Sequence, residues 1–397
     1  MDIKKLTKNI SITIYYRIIL ILLINSVVGS SWAEDRKNDQ ILTPKIYTIY
    51  HIALDETASS SRQARGIALR KAERTALDKL FRKIIREEDH DKLPDLSDGQ
   101  VMELVSGIEV ANEKSSHIRY IADFTVHFSR DKIYNFLSVL EIPFAETLSN
   151  AVNILTVLEK EGTVLLWEEN NDWRKAWNSY DTVNNLVPIR MITPSLANRM
   201  AITAWQAQNG QAELLQKFTA AQNLRALYVM NASVITDPAD GGDSLELTIF
   251  SNQGSGPDYK KHITLKDRSG DETDKLSALY NEAIRQATYW LDNRWKEKVM
   301  IHFGTSSHLK VAIKFDQSED WFQIKKKLEN ISLIQRITSK KITIAGAEVD
   351  MKHSGEVEQI ILALEQENLA LTRQPDTVDR KAVTAADDHY WILTLKK

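Results

Sequence analysis

The stretch from His308 to Asn368 reads HLKVAIKFDQSEDWFQIKKKLENISLIQRITSKKITIAGAEVDMKHSGEVEQIILALEQEN. Its punctuation is unusually legible. Leu309 to Phe315 is a β-branched and apolar run, and Ser318 stands where a helix N-cap belongs. Trp321, Ile324, Leu328 and Ile331 then share one helical face over Glu319 to Asn330. Strands follow at Ser332 to Ile337 and Lys341 to Met351. Ser354 next opens a helix over Gly355 to Asn368 that gathers Val357, Ile360, Ile361 and Leu364 at i, i+3, i+4, i+7 spacing. With strands at Leu369 to Gln374 and Tyr390 to Leu395, the order becomes β-α-β-β-α-β plus one strand. That order predicts a ferredoxin-like sandwich over 306–397.

Working back along the chain, two more segments separate. Over 150–300, strands and helices alternate, with a hairpin expected around Asp240-Gly241-Gly242-Asp243, so a central α/β domain with an antiparallel part is expected. Over 34–146, a strand at Ile46 to Ala53 is followed by a Ser59-Ser60-Ser61 cluster that caps a long helix. Ala64, Ala68, Ala72, Ala76, Leu80 and Ile84 recur on that helix every four residues. Such a stripe lets a helix lie close against a sheet. Two strands, Gly107 to Asn112 and His117 to Phe128, and a helix over Ser129 to Leu140 complete the domain. The whole is expected to be an α+β and α/β multidomain protein with mixed sheets and packed helices.

The first 33 residues have a different character. Lys4, Lys5, Lys8 and Arg17 precede an unbroken Ile/Leu run from Ile18 to Ile24, and Ser31-Trp32-Ala33 places small residues where signal peptidase cuts. The expectation is a cleavable signal peptide over 1–33, cut between Ala33 and Glu34, and hence a periplasmic location. An apolar core of about a dozen residues is shorter than the roughly 20 needed to span a bilayer, so no stable span is expected after cleavage; an uncut leader would anchor the chain in the inner membrane. The chain has no cysteine, which excludes thiol catalysis, zinc–cysteine sites and iron–sulfur chemistry. Loss of the leader takes away four basic residues and one acidic residue, so the net charge moves from −3 to −6. That acidity argues against nucleic acid as a partner.

Several stretches resemble a bacterial exported family, domain of unknown function two-zero-six-six. They are Arg62-Gln63-Ala64-Arg65-Gly66-Ile67-Ala68, Val105-Ser106-Gly107-Ile108, Tyr120 to Ser129 running into Val139 to Pro143, Leu165-Leu166-Trp167 and Asn223 to Val229. Arg190, where that family would place an acidic pair after a small apolar strand, departs from the pattern. The resemblance implies an exported envelope accessory or assembly factor and transfers no functional residue.

Candidate chemistry is sparse. Glu87, Glu88, Asp89, His90 and Asp91 cluster as a divalent cation requires, but without a turn-forming glycine or converging ligands, and a solvated loop is the plainer reading. Asp237 to Asp243 lacks the ligand spacing of a calcium loop and reads as a hairpin turn. The nine histidines show no paired metal spacing, no G-x-S-x-G elbow is present, and Gly242-Asp243-Ser244-Leu245 matches an esterase signature in only four letters. No phosphate-cradling glycine loop exists, so no cofactor is expected. Two features point to binding. Arg62, Arg65, Arg70 and Arg74 form a basic ridge on the first helix that could meet an anionic polymer or lipid. Trp167 and Trp177 could line a carbohydrate or peptide groove, against the alternative of core packing. A non-enzymatic factor that binds an envelope protein or cell-wall component is the leading expectation, and a periplasmic hydrolase with a spatially assembled site is the alternative.

Overall fold

The computed structural model describes residues 45–396 apart from 238–241, 255, 266–271, 302, 304–305, 316, 332, 344–345 and 374–390. The cleavage position, Ala33 and Glu34, lies outside the described residues, as does most of the 237–243 turn.

Three sheets organise the chain, and each falls within one expected segment. In the first, β1 (Thr48–Thr57), β3 (Arg119–Phe128) and β2 (Val105–Ser115) lie antiparallel in that order. Helix α1 (Ser61–Ile84) crosses it, capped by the Ser60 side chain, which accepts from the Gln63 amide. Ala64, Ala68, Ala72 and Ala76 are fully buried in the seam, and Leu80 and Ile84 extend it. Methyl-sized side chains bring the helix backbone close to the sheet, so enlarging one would cost about 1–3 kcal/mol in overpacking. Helices α2 (Asp98–Leu104) and α3 (Arg130–Val139) pack beside it, α2 behind a capping box of Ser97 and Gln100.

The second sheet is mixed and covered on both faces. Its order is β10 (Pro257–Ile263), β9 (Gly242–Ser251), β8 (Leu227–Asp237), β5 (Val152–Lys160), β6 (Thr163–Leu165), with β7 (Ile189–Met191) also on β5. β5 runs parallel to β8 and β7, whereas β8, β9 and β10 form an antiparallel meander. Ile154 and Leu158 of β5 enter one core, and Leu155 and Val157 the other. That alternation explains why β5 reads as continuously apolar. On the first face lie α4 (Asp172–Ser179) and the long α8 (Glu272–Val299); on the second, α5 (Leu196–Ala201), α6 (Ala204–Gln208) and α7 (Ala212–Ala221) lie in chain order, with Ile202, Ala207, Leu215 and Phe218 reaching the core.

The third sheet follows the expected element order: β12 (Ser306–Lys314), α9 (Ser318–Asn330), β13 (Ile334–Thr343), β14 (Gly346–Ser354), α10 (Val357–Gln366), β15 (Leu369–Arg373) and β16 (Trp391–Leu395). Its spatial order is β13-β14-β12-β16-β15. The last strand therefore enters the sheet, parallel to β12 and antiparallel to β15, and separates strands that would otherwise be neighbours in a four-stranded split-βαβ layout. Composition accounts for this. Trp391-Ile392-Leu393-Thr394-Leu395 suits a strand flanked on both sides, whereas the edge strand β13 carries Lys340 and Lys341, charges that discourage edge-to-edge pairing.

A short ribbon, β4 (Phe144–Ala145) against β11 (Met300–Ile301), ties the end of the first segment to the end of α8. Beside it Tyr134, Phe144 and Phe303 pack with ring centroids 5.7–6.0 Å apart. Through them the hydrophobic core of the first sheet continues into that of the third. Residues from Pro44 onward accordingly form one compact unit that holds, among the described residues, three larger sheets and this ribbon.

Candidate functional site

Helix α4 is seated by its own first turn. Asn171, fully buried, accepts from the Arg174 amide and donates from Nδ2 to the Thr156 carbonyl of β5 at 2.9 Å. This fixes Trp173 and Trp177 against the sheet, with the Trp173 indole N–H donating to the Met230 carbonyl at 2.9 Å. The opposite face of α4, with Asp172, Lys175 and Ser179, is left to face the N-terminal half of α8 across a cleft of ≈660 Å³. Ser277, Tyr280 and Asn281 supply the α8 wall.

A second lobe, also ≈660 Å³, continues along α8 toward β10 and shares Tyr180 and Asn281 with the first; Lys261, Glu282 and Arg285 line it. Both volumes lie in the range of about 300–1,000 Å³ typical of ligand sites.

Most charges of this groove are paired. Asp172 meets Lys175 at 2.8 Å. Arg285 grips Glu282 through two N–H donors at 2.6 and 2.8 Å, and Gln286 donates to the same carboxylate at 2.8 Å. These hydrogen bonds hold the Glu282 carboxyl below its ordinary range, Arg285 contributing most. At the rim Asp181 meets His51 Nδ1 at 2.6 Å. His51 sits at a bulge of β1 with φ +56°, a left-handed conformation uncommon for a side-chain-bearing residue. The bulge is clasped from the same loop by Asn184, which accepts from the Tyr50 amide at 2.8 Å and donates to the Tyr50 carbonyl at 3.0 Å.

Beneath the groove lies a buried hydroxyl without a partner. Tyr280 is 3% exposed, its ring lies 5.7 Å from that of Trp173, and its hydroxyl has no hydrogen-bond partner. Burial, with the negative charges of Asp172 and Asp243, raises the pKa of this hydroxyl, so it stays protonated. A buried hydroxyl without a partner is uncommon and calls for an explanation.

The C-terminal half of α8 is built differently. Lys296, 1% exposed, donates from Nζ to the carbonyls of Arg82 at 2.6 Å and Ile85 at 2.8 Å, satisfying the end of α1. Lys83 donates to the Lys45 carbonyl at 2.8 Å, and Asp292 accepts from the Val187 amide at 2.9 Å. Desolvation lowers both lysines to about 8 and raises Asp292 to about 6. These groups join α8 to α1 and to the loop before β7, and every polar contact they make is to backbone.

The residues singled out from sequence fall as follows. Trp167 and Trp177 are a correction: they are 5% and 4% exposed, and the Trp167 indole donates to the Ile202 carbonyl at 2.9 Å. Their place is in the two cores flanking the second sheet. The ridge arginines are on the surface, but acids from elsewhere reach them. Arg65 lies 3.4 Å from Glu113, and Arg74 and Arg70 lie 2.6 and 3.9 Å from Asp98, while Arg62 is exposed. The acidic run forms a 3₁₀ turn in which Asp89 meets Lys92 and Arg86, Glu88 meets Arg86, and Glu87 accepts from the Tyr289 hydroxyl. Among the described residues no His, Asp and Glu group is arranged to hold a metal ion, and no helix is long and apolar enough to cross a membrane. No family model matches the chain, and no curated protein matches it.

Sequence reasoning missed Asp172, Tyr280 and Asn281, which come from helices about a hundred residues apart. A mid-helix tyrosine in an apolar stripe gives no sign that its hydroxyl will lack a partner. Asp292 and Lys296 did leave a trace, an i, i+4 pair on the helix between Leu291 and Val299.

Proposed function

We propose that this chain is an exported binding or accessory factor of the bacterial cell envelope, periplasmic after cleavage between Ala33 and Glu34, and related to domain of unknown function two-zero-six-six. The ligand-binding part of this reading is carried by the two-lobed groove along α8. Most of its charged side chains pair with one another, Asp172 with Lys175 and Glu282 with Arg285. The export part rests on the leader pattern and the absence of cysteine. Fractionation followed by mass measurement tests it: a periplasmic chain beginning at Glu34 that co-sediments with isolated envelope material is expected. A chain retained in the cytoplasm, or one that leaves the envelope entirely in the supernatant, would end the proposal.

A hydrolase is the second reading, favoured by one observation. The His51–Asp181 pair stands at the groove rim on a left-handed backbone position, and such positions concentrate at functional sites. It requires turnover of an envelope ester, amide or glycoside that His51→Ala abolishes, whereas the binding reading expects none.

A further inference from the structure

We infer that the outer surface of α5 and α6 is a docking face for an anionic lipid bilayer, which Leu196, Met200 and Trp205 enter. Such a contact is independent of the groove and rests on the envelope reading only for its setting.

Helix α5 is amphipathic in the reverse of the usual sense. The side chain it buries is polar: Asn198, 8% exposed, donates from Nδ2 to the Thr193 carbonyl at 2.9 Å and accepts from Gln222, at the end of α7, at 3.0 Å. Its large apolar side chains face outward instead, Leu196 at 76% and Met200 at 81% exposed, one turn apart on one face. A surface helix ordinarily turns its apolar stripe inward. Trp205 follows on α6 at 62% exposed, while Ile202 and Ala207 on either side of it fill the core. A single exposed apolar residue needs no explanation, but three large ones between Leu196 and Trp205 on adjoining helices make a patch of the kind that marks a contact surface.

The surrounding charge selects the partner. From Ile189 to Ala226 the chain carries Arg190, Arg199, Lys217 and Arg225 against one acid, Glu213, in a protein whose net charge is −3. All four bases are exposed, and unlike the arginines of α1 they make no ion pair among the described residues. Arg199 and Lys217 stand on the helices of this layer, whose inner side Ile202, Ala207, Leu215 and Phe218 give to the sheet; Arg190 and Arg225 flank it in the chain. Protruding apolar groups with a basic fringe suit a fluid anionic surface: the former enter the acyl boundary while the long cationic side chains stay among the headgroups.

The test is flotation of the chain from Glu34 onward, whose compact unit starts at Pro44, with vesicles of phosphatidylcholine alone or mixed with an equal part of phosphatidylglycerol. Binding to the mixed vesicles is expected, at least about tenfold weaker on the neutral ones and in about 1 M salt, where the screening length is about 3 Å. Met200→Ser and Trp205→Ser should each weaken it about tenfold. Arg225→Gln should weaken it about fivefold. Phe322→Ser, at a 70% exposed apolar position on α9, should leave it unchanged. No binding to the mixed vesicles, equal binding to both kinds, or equal binding by wild type and patch variants overturns the inference, as does an equal loss in Phe322→Ser. Co-sedimentation with isolated envelope material separates the failures. Retention there without binding to protein-free vesicles removes the bilayer contact alone, and if Met200→Ser abolishes that retention the face belongs to a protein partner; loss of both removes the envelope reading as well.

Discussion

Helix α8 uses its buried polar groups differently along its length, although Asn293 Oδ1 in the C-terminal half is, like the Tyr280 hydroxyl, buried without a partner. Toward its C-terminus, Lys296 and Asp292 are desolvated but their hydrogen bonds are made, to the carbonyls that end α1 and to the Val187 amide. Toward its N-terminus, Tyr280 is as deeply placed and its hydroxyl is left unmade. The first half spends polar groups on holding segments together. The second leaves one buried hydroxyl unpaired beside an open groove.

The largest effect should come from the structural half. Lys296→Met keeps the apolar stem but orphans two carbonyls, and is expected to lower stability by about 3 kcal/mol in urea unfolding. A loss under about 0.5 kcal/mol would mean the junction is held by packing alone.

Asp292 gives the next effect, through pH. Its carboxyl sits at about 6 in the fold against an ordinary 3.8, so the fold binds the proton more tightly than the unfolded chain between those values. That contribution is fully present below about pH 4 and is lost as pH rises through 6. Compared with Asp292→Asn, the wild type should gain about 2–3 kcal/mol on going from pH 7 to pH 4. Parallel pH profiles of the two melting temperatures would contradict this. The lysines act at the other end. Lowered to about 8 from 10.5, they add stability that is present above the ordinary value and lost as pH falls through 8.

In the ligand-binding half, Tyr280→Phe should be neutral or stabilising by up to about 1 kcal/mol in the free protein, because it deletes a hydroxyl that has no hydrogen bond to lose. A clear loss in melting temperature would show that the hydroxyl is a structural group after all. Smallest of all, Arg74→Ala on the ridge should leave the melting temperature nearly unchanged, since its ion pair with Asp98 is solvent-exposed and only its hydrogen bond to the Leu96 carbonyl is lost besides.

Much of this molecule was legible in its sequence, for reasons that the residues make plain. The alanine stripe of α1 and the seven-element order of the third segment are local patterns, and local patterns survive folding. The position of β16 inside its sheet was not readable from order, although its five apolar or β-branched residues carried a hint. Trp167 and Trp177 misled because an indole reads equally as groove or core; the Trp167 N–H finds the Ile202 carbonyl, and Trp177 is buried with its N–H unpaired. The basic ridge was legible as a surface, but Glu113 and Asp98, which partly offset it, lie on other elements and were not. The groove could not be read at all. It exists because Asn171 pins α4 to β5 and thereby aims one face of that helix at a stretch of α8 about a hundred residues later.

Hydrogen–deuterium exchange of the protein with and without isolated envelope material tests the central contrast most directly. Protection at 172–181 and 276–286, with 292–299 unchanged, is the result expected. Protection at the junction half of α8, or on the exposed face of Leu196, Met200 and Trp205 with none along the groove, would contradict the assignment of the site.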